Sequence, residues 1–145
     1  MIEVTGNLWT YPADVRVITT NGTIKKDGTC VMGRGCAAEA KQKQKGIDIA
    51  LGRLIQQNGN HCFLLKKYNS EGGIVSFPVK HNWYEKADIE LIRQSCLELI
   101  NITDNQGWKV IVMPRPGCGN GRLDWDYVRN EIRILDDRFH VITYD

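Results

Sequence analysis

An α/β sandwich around a central, largely parallel sheet is the fold class this sequence predicts, and three observations predict it. Short apolar runs alternate along the chain with stretches whose apolar residues recur every three or four positions, the pattern of strands followed by helices. Two of the strand-to-helix junctions carry glycine clusters, Gly33-Arg34-Gly35 and Gly117-Cys118-Gly119-Asn120-Gly121, at the ends where such sheets bind their ligands. The chain's 145 residues, 42% hydrophobic and 25% charged, suffice for one ordinary globular core. One domain over 1–145 is expected, without repeat, linker or low-complexity segment.

Ile2-Glu3-Val4 reads as a short strand and Val15 to Thr19 as a second, ending near Asn21-Gly22. Cys30-Val31-Met32 reads as a short strand running into Gly33-Arg34-Gly35, after which Cys36-Ala37-Ala38-Glu39-Ala40-Lys41 changes to strong helix formers. Ile47, Leu51, Leu54 and Ile55 mark a helix that stops near Asn58-Gly59. Cys62 to Leu65 and Gly73 to Phe77 are strands around the turn-prone Asn69-Ser70-Glu71-Gly72, the second ended by Pro78. Ala87 to Ile100 carries Ile89, Ile92, Cys96 and Leu99 on one helical face. Lys109 to Met113 is the next strand, Trp125, Val128, Ile132 and Leu135 share a helical face, and His140 to Tyr144 is the last strand. The loops after Ile18, Val31, Phe77 and Met113 are expected at one end of the sheet, which gathers Asn21, Gly33 to Gly35, Lys80 and Gly117 to Gly121 into one cleft.

The loop from Met113 to Trp125 carries the most chemistry. Three alternating glycines let a ligand approach the main chain, and the helix that follows is expected to aim unpaired N–H groups and its positive dipole end at the loop. That arrangement suits a phosphate. Gly33-Arg34-Gly35, opening its own helix, offers a second anion cradle, and a diphosphate uses both. Cys118 lies in such a loop, which could lower its thiol pKa. Other classes recede on composition. A net charge of +2 is too small to announce a nucleic-acid-binding protein, though it leaves room for a basic patch. No apolar run reaches the ~20 residues of a membrane helix, and the first residues lack a signal-peptide layout, so a cytoplasmic protein without membrane attachment is expected. Five cysteines without a C-x-x-C pair point to reduced thiols, and three scattered histidines give a metal site little support.

Three segments resemble the macro domain family, the ADP-ribose-binding module. Val31-Met32-Gly33-Arg34-Gly35-Cys36-Ala37 is similar to the family's V-M-G-x-G-I-A loop, Phe77-Pro78-Val79-Lys80-His81-Asn82-Trp83 to F-P-T-K-x-x-W, and Pro114 to Trp125 to P-x-x-G-C-G-x-G-G-L-D-W. The branch resembled contains the terminal ADP-ribose protein glycohydrolases and the antitoxin-type glycohydrolases acting on DNA. The resemblance implies a three-layer α/β/α sandwich with a mixed, mostly parallel sheet and ADP-ribose or an ADP-ribosylated substrate as partner; backbone N–H groups can hold the diphosphate without a metal, so no cofactor is expected, and a monomer is expected. It implies that Met32, Gly33, Arg34, Gly35 and Cys36 surround the diphosphate, and that Pro116, Gly117, Cys118, Gly119, Asn120, Gly121 and Arg122 form the second loop. Asn21 falls near the distal ribose, Tyr144 against the adenine, and Lys80 on the catalytic lysine.

Departures from the family pattern sharpen the expectations. Asn7 stands where an aspartate usually accepts from the adenine amino group, so adenine recognition without charge assistance is expected. Arg122 replaces a glycine. The catalytic aspartate of the protein-directed branch would fall at Gly121, which leaves lysine-dependent chemistry as the nearer model. Asp124 is expected to cap the last helix, His81 to be a surface residue or substrate contact, and Trp83 and Trp125 to pack. The function expected is hydrolysis of ADP-ribosyl groups on a nucleic acid or protein, or dephosphorylation of ADP-ribose 1″-phosphate, with a non-catalytic reader as the alternative. A module that binds nucleic acid through Lys25, Lys26, Arg34, Lys80 and Arg122 is the remaining class, marked by steep salt dependence.

Overall fold

The alternation of apolar residues decides which face each strand turns to which layer. In the computed structural model, which describes residues 1–68 and 72–144, the strands are β1 (Ile2–Thr5), β2 (Val15–Asn21), β3 (Phe63–Tyr68), β4 (Gly72–Lys80), β5 (Ile111–Pro114) and β6 (Phe139–Thr143). They form one sheet in the order β1-β6-β5-β2-β4-β3. Every neighbouring pair is parallel except β3 with β4. The helices are α1 (Gly35–Lys43), α2 (Ile47–Asn58), α3 (Ile89–Gln106) and α4 (Trp125–Glu131).

Val15, Val17, Val75, Phe77, Ile111, Met113, Phe139 and Val141 occupy alternate strand positions and share a core with Ile92, Cys96 and Leu99 of α3 and Val128 of α4. The intervening Ile18 and Ile74 face the other way and pack with Ala37 and Ala40 of α1 and Ile47, Leu51 and Ile55 of α2. Val112 and Ile142 point to that same side, where Leu8 covers them. A period of two has put one apolar set on each face, and helices cover both. The result is the three-layer α/β/α sandwich with a mixed, mostly parallel sheet.

Several boundaries differ from the sequence reading, each for a local reason. Cys30 to Met32 is no strand: its ladder is one isolated bridge, Ile24 to Cys30. Pro78 does not end β4, which runs on to Lys80. The pairing with β3 reaches only Ser76. Beyond it β4 is an unpaired edge on that side, where a proline's missing N–H is tolerated. The register with β2 then shifts between Thr20 and Asn21. β5 starts at Ile111 rather than Lys109, because the Asp14 carboxylate accepts from the N–H groups of Lys109 and Val110 (2.8 and 3.0 Å) and takes the place of a ladder there. α3 begins after its cap Asp88, whose side chain accepts from the Glu90 N–H, and continues past Ile100 to a left-handed Gly107. α4 ends at Glu131, so the buried Ile132 and Leu135 reach the core from turns. The turn expected around Asn69-Ser70-Glu71 lies outside the described residues.

Candidate functional site

The carboxyl ends of β2, β4, β5 and β6 and the start of α1 enclose a cavity of about 840 Å³. That is the size range of small-molecule sites, at the edge of the sheet where open α/β folds bind ligands. Of the residues singled out from sequence, Asn21, Met32, Gly33, Arg34, Gly35, Cys36, Lys80, Gly117, Cys118, Gly119, Asn120, Gly121 and Tyr144 line it. Asn7, Pro116 and Arg122 do not. Asn7 is exposed, and its side-chain oxygen accepts from the Trp9 N–H at 2.8 Å. Pro116 is buried, and Arg122 is exposed.

The first loop runs into α1, whose N-cap residue Arg34 makes no side-chain capping bond and whose first turn holds no acidic residue. The free N–H groups and positive dipole end of this helix therefore face the cavity uncompensated, an arrangement suited to an anion. The second loop works differently from the sequence reading. α4 does not touch the cavity, and Asp124 already caps it by accepting from the Tyr127 N–H. Its dipole is spent on its own cap, so the loop offers backbone N–H groups without a helix behind them. Within the loop, Leu123 N–H donates to Gly117 O at 2.9 Å and Arg122 N–H to Gly119 O at 3.0 Å. Gly117 takes φ +76°, open to glycine, with Ile92 and Ala87 where a Cβ would sit. Gly121 lacks room instead: a Cβ there would lie 2.5 Å from Gly117 O and 2.8 Å from Ala87 Cβ. The left-handed turn that follows falls on Arg122 itself, at φ +64°. The two loops meet where the Gly35 backbone lies against the Asn120 amide.

Lys80 is fixed from several sides. Asn60 donates to its carbonyl at 3.0 Å, Gly22 N–H donates to His81 O at 3.2 Å, and the Lys80 ammonium donates to Trp83 O at 3.2 Å. Partial burial first, then the guanidiniums of Arg122 and Arg34, push its pKa below the ordinary lysine value. One arginine belongs to each loop, so the lysine stands electrostatically between them. Asn21 is partly committed: its amide donates to Val31 O and accepts from the Thr23 N–H, both at 3.0 Å, which pins the 23–31 loop to β2. His81 is paired with Asp88 at 2.8 Å and does not line the cavity.

The loop does not lower the Cys118 pKa. Burial pushes it up to about 11, outweighing the pull of Arg115, so the group is a thiol at neutral pH. Burial raises Cys36 likewise, and its sulfur accepts from the Thr19 N–H at 3.4 Å. All five cysteines are free. Among the described residues no group of three His, Cys, Asp or Glu could hold a metal ion, and no helix is long and apolar enough to cross a membrane.

Sequence reasoning missed Thr19, Thr20, Lys25, Glu39, Trp83 and Arg115 as cavity residues. Glu39 was within reach, since it lies three residues after Cys36 on one helical face. It is the only carboxylate among the described lining residues, against four cations (Lys25, Arg34, Lys80 and Arg115). Its charge adds to burial in raising the Tyr144 phenol pKa, which marks their end of the cavity as acidic and aromatic. Arg115 gave no local signal and Lys25 only that of a basic residue, because loop packing alone brings them into the cavity.

The macro domain family model matches residues 19–132. A curated relative named DNA ADP-ribosyl glycohydrolase, from Mycobacterium tuberculosis (strain ATCC 25618 / H37Rv), is 24% identical over 107 residues, 70% of this chain and 30% of its own length. The Mycobacterium bovis protein of the same name gives the same figures. The chain thus spans less than a third of those relatives. The macrodomain of Mycobacterium tuberculosis DarG superposes with a TM-score of 0.80 at 25% identity, over 97% of this chain and 96% of that one. Thermosipho africanus DarTG in complex with ADP-ribose shares the fold, with a TM-score of 0.79 at 18% identity over 97% of this chain and 40% of that one.

Proposed function

The chain belongs to the macro domain family, and from that premise we propose that its cavity binds ADP-ribose and that the protein hydrolyses the bond between ADP-ribose and an acceptor. One observation carries the reading: an uncapped helix start, a glycine loop and Lys80 with a lowered pKa converge on one cavity. The diphosphate lies between the two loops, which brings the anomeric carbon of the distal ribose to Lys80. Its amine lone pair bonds to that carbon as the bond to the acceptor breaks, the acceptor leaves with a proton, and water then releases the lysine. Cations around Lys80 favour the amine form this step needs. Holding the carbon in place supplies much of the barrier reduction.

The base goes to the other end, beside Tyr144, where Glu39 is the acceptor available to its amino group and Asn7 contributes at most a second lone pair of an oxygen already engaged by Trp9. DNA is the acceptor favoured, since the Mycobacterium tuberculosis relative is named for that activity. A non-catalytic reader is the second reading, favoured by Gly121, where no carboxylate fits.

Calorimetric titration with ADP-ribose, with release assays on ADP-ribosylated DNA, ADP-ribosylated protein and ADP-ribose 1″-phosphate, tests this. Lys80→Ala is expected to keep ADP-ribose binding within several-fold and to lose turnover by about 100-fold or more. Binding without turnover by the unaltered protein leaves the reader, and no binding at all overturns the cavity's assignment.

A further inference from the structure

Trp83 and Tyr84 do not pack into the core as tryptophan and tyrosine usually do. The two residues are 48% and 66% exposed, their rings edge to face with centroids 5.8 Å apart and planes at 89°. The loop beneath them is held on both sides. Trp83 N–H donates to Thr23 Oγ1 at 2.9 Å, Trp83 O accepts from Lys80, and Glu85 N–H donates to Asn82 O at 3.1 Å. An immobilised backbone that presents two large rings to water is a costly arrangement for a residue pair with no contact to make. Trp83 lines the cavity beside Lys80, whose ammonium donates to its carbonyl, and is half exposed to solvent there. Lys25, Arg34 and Lys80 line the same cavity, whose only described carboxylate, Glu39, lies at the Tyr144 end.

An aromatic face that shares its cavity with these three cations, while the only described carboxylate of the lining lies at the Tyr144 end, complements a chain of flat bases and phosphates. A peptide's lysines and arginines would meet like charge here. Resting on the reading of the previous subsection, we propose that Trp83 and Tyr84 are the acceptor subsite, on which an unpaired nucleobase next to the modified nucleotide stacks while Lys25 holds its phosphate. Stacking of this kind tolerates any base, so the subsite selects single strands rather than a sequence. A base held in a duplex cannot reach either ring.

The test compares the KM for an ADP-ribosylated single-stranded DNA oligonucleotide with the Kd for free ADP-ribose. Trp83→Ala is expected to raise the ratio of the two about 10- to 100-fold, Tyr84→Ala to raise it less, and Trp83→Phe to restore most of the loss, which a merely structural role would not predict. The unaltered protein is expected to prefer the oligonucleotide to an ADP-ribosylated mononucleoside and to the same site within a duplex. ADP-ribose binding with a ratio unchanged in both alanine variants overturns this inference alone, as does an equal loss on an ADP-ribosylated peptide. Absence of ADP-ribose binding in the unaltered protein overturns the proposed function along with it.

Discussion

Arg122 shows how one side chain shapes both a loop and a titration. It holds φ +64° at a position where its family usually has glycine, and an L-residue in that region costs roughly 1–2 kcal/mol. Arg122→Gly removes this strain but adds chain entropy to the unfolded state, about 0.5–1 kcal/mol. The balance is a stabilisation of about 0.5 kcal/mol, to be read from the urea midpoint at constant slope. The same change removes a cation that lowers the Lys80 pKa. The ionisation of Lys80 therefore moves up in Arg122→Gly. Where the amine is the active form, the rate rises as pH climbs through that ionisation, so the rising limb shifts to higher pH and activity on it falls. A pH–rate profile of the two proteins side by side checks the sign. Cys118 offers the opposite lesson: its thiol, pushed up to about 11, is no nucleophile at neutral pH despite its place in the loop.

Among the elements, the second glycine loop divides its work unevenly. Gly117 supplies a conformation, Gly121 supplies space, and Gly119 lines the cavity with neither demand upon it, since a Cβ there would meet nothing within 4 Å. A carboxylate at position 121 would restore a residue that the protein-directed branch uses, yet its Cβ would meet the Gly117 backbone and Ala87. The Ala87 N–H also donates to Gly121 O at 3.0 Å, so the loop cannot yield without releasing the start of α3. Gly121→Asp is accordingly expected to lose ADP-ribose affinity by at least about 10-fold and stability by about 1–3 kcal/mol, without gaining turnover. Calorimetry and urea melts measure both. A variant that folds normally and turns over faster would show that the loop has slack this packing denies it.

Across the whole molecule, charge is distributed along the cavity rather than concentrated in the net +2. A small diphosphate engages few of the cations, whereas an oligonucleotide spans the mouth as well. Raising salt from about 50 to about 500 mM is therefore expected to weaken ADP-ribose binding only several-fold and binding of an ADP-ribosylated oligonucleotide by more than about 10-fold. Titrations of both ligands across that range give the two slopes, and equal slopes would mean that the mouth contributes no phosphate contact.

Much of this architecture was legible from the chain. Periodicity placed the strands and helices, since a period of two or of 3.6 is itself the geometry of a face that must be buried. Glycine placement located both loops, and the resemblance of Phe77-Pro78-Val79-Lys80 to a family motif singled out Lys80, which the fold brings to the cavity. What local pattern cannot carry is a sum over distant parts. The strand order β1-β6-β5-β2-β4-β3 depends on pairings between residues as far apart as Ile2 and His140. The entry of Lys25, Glu39 and Arg115 into the cavity depends on how loops pack, and the exposure of Trp83 on which surfaces remain after every other face is covered. The directions of the Lys80 and Cys118 shifts follow from desolvation and from charges brought near only by folding. Sequence thus determined the elements and the residues able to do chemistry; the tertiary structure decided which of them meet, and in what electrostatic surroundings, because burial and distance belong to the packed chain as a whole.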